Sequence, residues 1–447
     1  MRMRYIYFFM KFTLPYALHV FFKRIKTLNP PKERLGRTFF VANHPSSFMD
    51  PLIPAAMNNP VVHFMARADI YEGLLKHVYH NTHILPIYRQ QDGGDGQKKN
   101  EEVFQWVAQE VKRKKNILVF AEGFTDDVFI RSLKPLKKGF ARMAFIALEE
   151  LNWEEPVYLQ AFGMNYTHPQ KFRSEILMSY GERILLNDFR EEYEQNPKKV
   201  IADVTKLGED LLLKEMTHLE NREQSHFHEN IMRLTRKGMH YENSDFSIPL
   251  EERFRYSQRL ANRLNTQNDE VLTTLKDALA HYFRELEAKN INENDVFEFV
   301  EKGKISNSKM YLFNIFFAPL ALLGLLHGWI SYFVIKPKVE RSFKRSVFWS
   351  SVKIVGSHFI TGIYNVLLLV PFYIFVYPSV LSGLLYLVLI TGPSFIIFHK
   401  WINNWKSINR RKKISISSLT VLADRRMQII RNLDSFFPDN NDEFHKN

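Results

Sequence analysis

Thr38-Phe39-Phe40-Val41-Ala42-Asn43-His44-Pro45-Ser46-Ser47-Phe48-Met49-Asp50-Pro51 is the stretch on which the fold turns. Its first five residues form an unbroken apolar run, the pattern of a buried strand. Its end predicts a helix start: proline is favoured at the first helical position and aspartate just before it, as a cap. Strand, turn and helix therefore follow one another within fourteen residues. His44 and Asp50 lie six positions apart, so on one continuous helix they would point well away from each other. They can meet only across a turn. Two readings stay open at this point. In one, Asp50 caps a helix and His44 is a loop histidine. In the other, Asp50 holds the His44 imidazole in the tautomer that accepts a hydroxyl proton, and the activated alcohol attacks a thioester.

Outward from this stretch, apolar runs alternate with amphipathic ones. Ile84–Tyr88 reads as a strand, with Pro86 placing it near an edge or strand end. Ile117–Ala121 reads as another and follows a helical stretch around Glu101–Lys115. Val157–Asn165 and Glu175–Ser179 complete the set. Strands separated by helices predict an α/β domain over residues 31–185. Residues 186–305 are polar, with helical periodicity over Phe254–Ala288, and predict a helical insertion. Its interspersed acids and bases count against a nucleic-acid module. His226, His228 and His240 lie there without metal-ligand spacing, so no metal site is expected. Gly93-Gly94-Asp95-Gly96 lacks the frame of a phosphate-cradling loop and reads as a plain loop.

Composition adds the membrane. The 447 residues are 45% hydrophobic, yet residues 311–335 and 359–398 contain no Asp, Glu, Lys or Arg. Each exceeds the roughly 20 apolar residues that span a bilayer. A membrane region is expected over 306–413, with apolar segments 311–335, 359–377 and 379–398, followed by a cytoplasmic tail, 414–447. Pro319 and Gly324 are expected to break the first segment. Residues 1–30 predict an interfacial helix, with Phe8, Phe9, Phe12, Phe21 and Phe22 inserted and basic residues at the headgroups. The net charge of +13 suits an anionic lipid or substrate. The chain has no cysteine, which excludes a disulfide, a thiolate nucleophile and a Cys-ligated metal.

Four segments in order resemble the glycerol-phosphate acyltransferases of the phospholipid/glycerol acyltransferase superfamily. The first is Asn43-His44 with Asp50. Five residues separate His from Asp, which resembles the glycerol-3-phosphate/dihydroxyacetone-phosphate branch. The second is Leu85-Pro86-Ile87-Tyr88-Arg89. The third is Phe120-Ala121-Glu122-Gly123-Phe124-Thr125, continuing to Leu133-Lys134-Pro135-Leu136-Lys137-Lys138-Gly139. The fourth is Leu159-Gln160-Ala161-Phe162-Gly163-Met164-Asn165-Tyr166. The family usually has proline where Ala121 and Ala161 stand.

The resemblance implies an α/β fold: an acyltransferase domain with a mixed sheet flanked by helices, plus the helical insertion and a C-terminal membrane helical region. It implies His44 and Asp50 as catalytic residues and Arg89 on the acceptor phosphate. Glu122 would orient the acceptor or the basic residues around its phosphate, Gly123 would permit close backbone approach, and Lys137 would supply charge. It implies acyl transfer from acyl-CoA or acyl-carrier protein to the sn-1 hydroxyl of glycerol 3-phosphate, without a bound cofactor, on a catalytic domain facing the cytoplasm. Lysophosphatidate is the alternative acceptor, and a non-catalytic lipid-binding membrane protein the alternative class. Membrane lipids are the expected partners and nucleic acid is not.

Overall fold

Strand β2 (Thr38–Ala42) is the spine of the first of two units, and every residue of it is buried. Phe39 and Val41 enter one hydrophobic cluster, Phe40 and Ala42 another, as the two-residue repeat of a strand dictates. With both faces covered, no polar side is needed, which explains the unbroken apolar run. The computed structural model describes residues 5–31, 36–57, 62–67, 82–88, 96–243, 247–266 and 269–436.

Among these, β1 (Arg24–Leu28), β2, β3 (Val62–Arg67), β4 (Ile84–Ile87), β5 (Asn116–Phe120), β6 (Tyr158–Tyr166) and β7 (Glu175–Leu185) form one sheet. Its order is β1-β7-β6-β2-β5-β3-β4. β6 and β7 pair antiparallel and the other pairs are parallel, so the sheet is mixed. The outer strand β4 carries Pro86, where a missing N–H is tolerated.

One face is covered by α3 (Gly96–Lys112), α4 (Gly139–Glu150) and α5 (Pro197–Lys214). Val103, Val107, Ala108 and Val111 of α3 recur at three- and four-residue spacing, which places them on one buried stripe. The other face is covered by α1 (Tyr5–Phe21) and α2 (Met49–Met57).

Two expectations change here. The N-terminal segment is not purely interfacial: Leu14, Leu18, Phe21 and Phe22 are buried against α2 and the sheet, while Phe8, Phe9 and Phe12 are exposed. Lys23 leads straight into β1, which pairs with β7, and Arg173 caps the end of α1 by donating to the carbonyls of His19 and Val20 at 2.8 and 3.0 Å. The boundary expected after residue 185 also moves. Val200, Val204, Leu211 and Leu212 of α5 complete the sheet's core, so the first unit runs through Glu220 and takes in Phe343–Ile354.

The second unit is helical. It holds α6 (Ser225–Thr235), α7 (Leu250–Thr266), α8 (Asp269–Ala288), α9 (Glu293–Lys302), α10 (Ser308–Phe316) and most of the remaining chain. His228 is buried, and its Nε2 lies 3.0 Å from the Ser257 carbonyl oxygen. Among the described residues, three helices are long and apolar enough to cross a membrane: α11 (Ala318–Ser342), α12 (Ser346–Phe375) and α13 (Val380–Arg411). The break expected at Pro319 and Gly324 falls instead at Phe317. Pro319 sits in the first turn of α11, where its missing N–H costs nothing. Gly324 is a contact point: a Cβ there would lie 2.0 Å from the Ser394 carbonyl oxygen. His327 is buried and satisfied, bonded to Asn365 at 2.8 Å and Tyr386 at 2.6 Å. The expected tail also carries structure. Residues 416–436 form α14 (Ile416–Phe436), whose buried Leu419, Leu422, Ile429 and Leu433 follow helical spacing. Its Arg426 is 2.6 Å from the buried Glu293.

Candidate active site

The neighbouring strands β6, β2 and β5 run parallel, so their carboxyl ends open on the same edge of the sheet. Ligand sites in such sheets form at that edge. Tyr166 ends β6, Asn43 and His44 follow β2, and Ala121-Glu122-Gly123 follow β5. Residues distant in sequence therefore converge.

Asn43 joins two of these ends. Its Oδ1 accepts from the Met164 amide at 2.7 Å and its Nδ2 donates to the Met164 carbonyl at 3.1 Å. His44 then leaves the sheet on a turn that includes Ser47 at φ 48°. Its ring stacks on Phe120, 4.5 Å between centroids. The turn brings the chain back so that Asp50 Oδ2 lies 2.9 Å from His44 Nδ1. Asp50 is fully buried. It sits one residue inside α2 rather than before it, and its carboxylate turns backward to the His44 loop. Besides His44, it accepts from the Ser46 amide at 2.7 Å and from the Tyr166 hydroxyl at 2.8 Å. Burial pushes the Asp50 carboxyl up from its ordinary value, and the bonds from His44, Ser46 and Tyr166 oppose that rise. With Nδ1 engaged, Nε2 of His44 is the nitrogen left for the pocket that the ring lines.

Glu122 is buried beneath this loop. Its Oε1 accepts from the His44 backbone amide at 2.6 Å, and its Oε2 accepts from the Lys134 amide at 3.1 Å. Lys134 Nζ stands 3.4 Å from Glu122 and 2.9 Å from Asp126. Burial raises the Glu122 carboxyl, and the Lys134 charge opposes the rise. Both oxygens are thus committed to the protein. Gly123 has φ 77°, a conformation that side chains oppose, and Lys137 lies beside it. Lys137 is exposed, with its amide bonded to the Ala121 carbonyl at 2.8 Å. Arg131 lines the same pocket and donates to the Tyr166 carbonyl at 2.8 Å. Arg89 lies outside the described residues, as do Gly93, Gly94 and Asp95.

Phe343–Ile354 crosses both loops. Phe348 packs on Phe48, 5.5 Å between centroids, and Arg345 donates to the Thr125 carbonyl at 2.8 Å and pairs with Asp127.

Residues 24–160 match the model of a family described as Acyltransferase. The chain is 24% identical over 270 residues to Glycerol-3-phosphate O-acyltransferase 2 of Saccharomyces cerevisiae, a match that covers 58% of this chain and 35% of that protein. The chain thus carries an acyltransferase domain and is similar to a glycerol-phosphate acyltransferase. It spans about a third of the length of that yeast relative. It is also similar, at 15% identity and a TM-score of 0.30, to the solved 1-acyl-sn-glycerophosphate (LPA) acyltransferase PlsC from Thermotoga maritima, over 46% of this chain and 82% of that one.

In this acyltransferase domain the structure brings together His44, Asp50, Glu122 and Gly123, with Lys137 exposed beside Gly123. Sequence reading gave no site role to four neighbours: Asn43, Arg131, Lys134 and Tyr166. Asn43 and Tyr166 stand inside the quoted segments, and the signal that could have found them is position, since each ends a strand beside His44. Nothing local distinguished Lys134 from Lys137 and Lys138; only the buried Glu122 selects it.

Proposed function

We propose that this chain is a membrane-attached O-acyltransferase. It moves a fatty acyl group from acyl-CoA or acyl-carrier protein to the sn-1 hydroxyl of glycerol 3-phosphate, a step of phospholipid synthesis. The observation that carries the proposal is the 2.9 Å contact between His44 Nδ1 and the buried Asp50, which commits Nε2 to the pocket. A neutral imidazole held in that tautomer is a general base.

His44 Nε2 takes the proton of the acceptor hydroxyl as the oxygen attacks the thioester carbonyl. The C–O bond forms and the C–S bond breaks. The proton passes from His44 to the departing sulfur, which leaves as the free thiol. Asp50 stabilises the imidazolium that exists in between. No covalent enzyme intermediate is needed. Arg89 and Lys137 are proposed to receive the acceptor phosphate, Arg89 through paired charge-assisted bonds. Glu122 is proposed to hold the His44 loop against Lys134.

Glycerol 3-phosphate is favoured by the five-residue His–Asp spacing and by the function that the yeast relative's name states. Membrane attachment is supported by α11, α12 and α13, and a cytoplasmic catalytic domain by the place where activated acyl donors are made. Thiol release from acyl-CoA, measured with no acceptor, with glycerol 3-phosphate and with lysophosphatidate, tests the reading. Release is expected to depend on glycerol 3-phosphate. Release that depends only on lysophosphatidate would move the acceptor assignment, and no release with either acceptor or donor would remove the activity.

A further inference from the structure

Asp50 is fully buried, and a carboxylate taken out of water is costly unless donors surround it. Three donors do so. His44 and the Ser46 amide meet Oδ2, and both belong to the turn that carries Asp50 itself. Oδ1 has a donor of different origin: the hydroxyl of Tyr166, 2.8 Å away, at the end of β6 and 116 residues along the chain. Tyr166 is itself fully buried, and its backbone is fixed by Arg131, which donates to its carbonyl at 2.8 Å. Its ring lies 6.1 Å from that of Phe22. The hydroxyl cannot turn elsewhere without leaving Oδ1 bare. We propose that Tyr166 is a positioning residue of the acyl transfer: it acts through Asp50, holding that carboxylate ionised and aimed so that its other oxygen fixes the His44 ring. This rests on the proposed role of His44 as general base.

The phenol suits the task. Burial and the adjacent Asp50 charge hold its own ionisation well above the ordinary tyrosine value, so it stays a donor at neutral pH. A hydrogen bond to the charged form lowers a carboxyl's pKa, and losing the bond raises it. Among the described residues, Arg131 and Asp126 line the pocket beside the pair, and Arg131 bonds the Tyr166 carbonyl. Asp50 faces His44 and Tyr166, and the His44 loop faces Glu122, which in turn pairs with Lys134. The acid limb of the rate profile is therefore expected to follow the Asp50 carboxyl.

Tyr166→Phe removes the donor and keeps the ring. It is expected to lower kcat roughly tenfold or more, as for a lost bond to a charged group, with little change in acceptor KM. Its acid limb should move to higher pH. Replacing Tyr166 with 3-fluorotyrosine keeps the shape and makes the hydroxyl a stronger donor, so the limb should move to lower pH. This second variant also decides the matter if Tyr166→Phe fails to fold. A loosened fold would lower activity without moving the limb in opposite directions. Unchanged kcat and an unmoved limb in the variants that fold would overturn the inference. His44→Ala separates it from the reading beneath: if that variant is inactive while Tyr166→Phe behaves as wild type, only the role of Tyr166 falls. If His44→Ala retains turnover, the general base and the role of Tyr166 fall together.

Discussion

His44 and Asp50 are judged by substitution. His44→Ala is expected to reduce thiol release by about 10²–10⁴-fold, the usual loss with a general base, while circular dichroism stays native. Asp50→Asn should be similarly damaging, because an amide cannot hold the imidazole in the same tautomer and charge state. Near-normal turnover in a folded His44→Ala protein would remove the mechanism. The sequence contained both residues and the turn between them, but not the choice between a helix cap and an imidazole partner. That choice depended on where the Asp50 side chain points, and the Ser46 amide, 2.7 Å from Oδ2, draws it backward toward the loop. Glu122 was legible as a strand-end residue, whereas its commitment to His44 and Lys134 required the sheet to bring β2 and β5 together.

At the scale of elements, α1 shows two faces with different work. Leu18 is fully buried against the sheet, and Phe12 is 80% exposed. Leu18→Ala should destabilise the first unit by about 2–5 kcal/mol, the range for a buried leucine truncated to alanine. Phe12→Ser should leave the melting temperature nearly unchanged, since exposed substitutions stay within about 0.5 kcal/mol. It should instead reduce insertion of α1 into anionic vesicles, read as a smaller fluorescence change of a probe attached beside Phe12. Equal stability losses at the two positions would contradict this division. The sequence showed an aromatic, basic helix. It did not show that the last turn, Phe21 and Phe22, enters a core built mainly from residues beyond position 39.

At the scale of the whole molecule, a parity argument bears on topology. Arg411 donates to the Ser306 carbonyl at 3.0 Å and lies 2.8 Å from Asp295, so the chain on either side of the apolar helices returns to one place. In a membrane, two touching ends lie on the same side, and the number of crossings between them is even. If these helices enter a bilayer, three crossings would be odd, so one segment is expected to enter and return. α10 has nine residues and reaches only about 13 Å at 1.5 Å per residue, too short to cross. We propose that α10 and α11 together form the re-entrant pair, leaving α12 and α13 as a hairpin. The last turns of α11 and the link to α12 are basic, with Lys336, Lys338, Arg341, Lys344 and Arg345, and so is the end of α13, with Arg410 and Arg411. Short basic loops stay inside. Cysteines placed singly at Ser342 and Ser407 are therefore expected to resist a membrane-impermeant thiol reagent in intact cells. Labelling of Ser342→Cys from outside would overturn the topology.

The sequence by itself determined the α/β class, the strand–turn–helix around His44, the order of the four segments and the apolar stretches. Each of these is written in local periodicity, where neighbours along the chain decide the outcome. Only the tertiary structure decided that α5 belongs to the sheet, that residues 416–436 pack as a helix on α8 and α9, and that Tyr166 completes the shell of Asp50. These rest on contacts between residues far apart in sequence. A buried carboxylate takes its donors from whatever the fold brings within about 3 Å, and no local pattern records that partner.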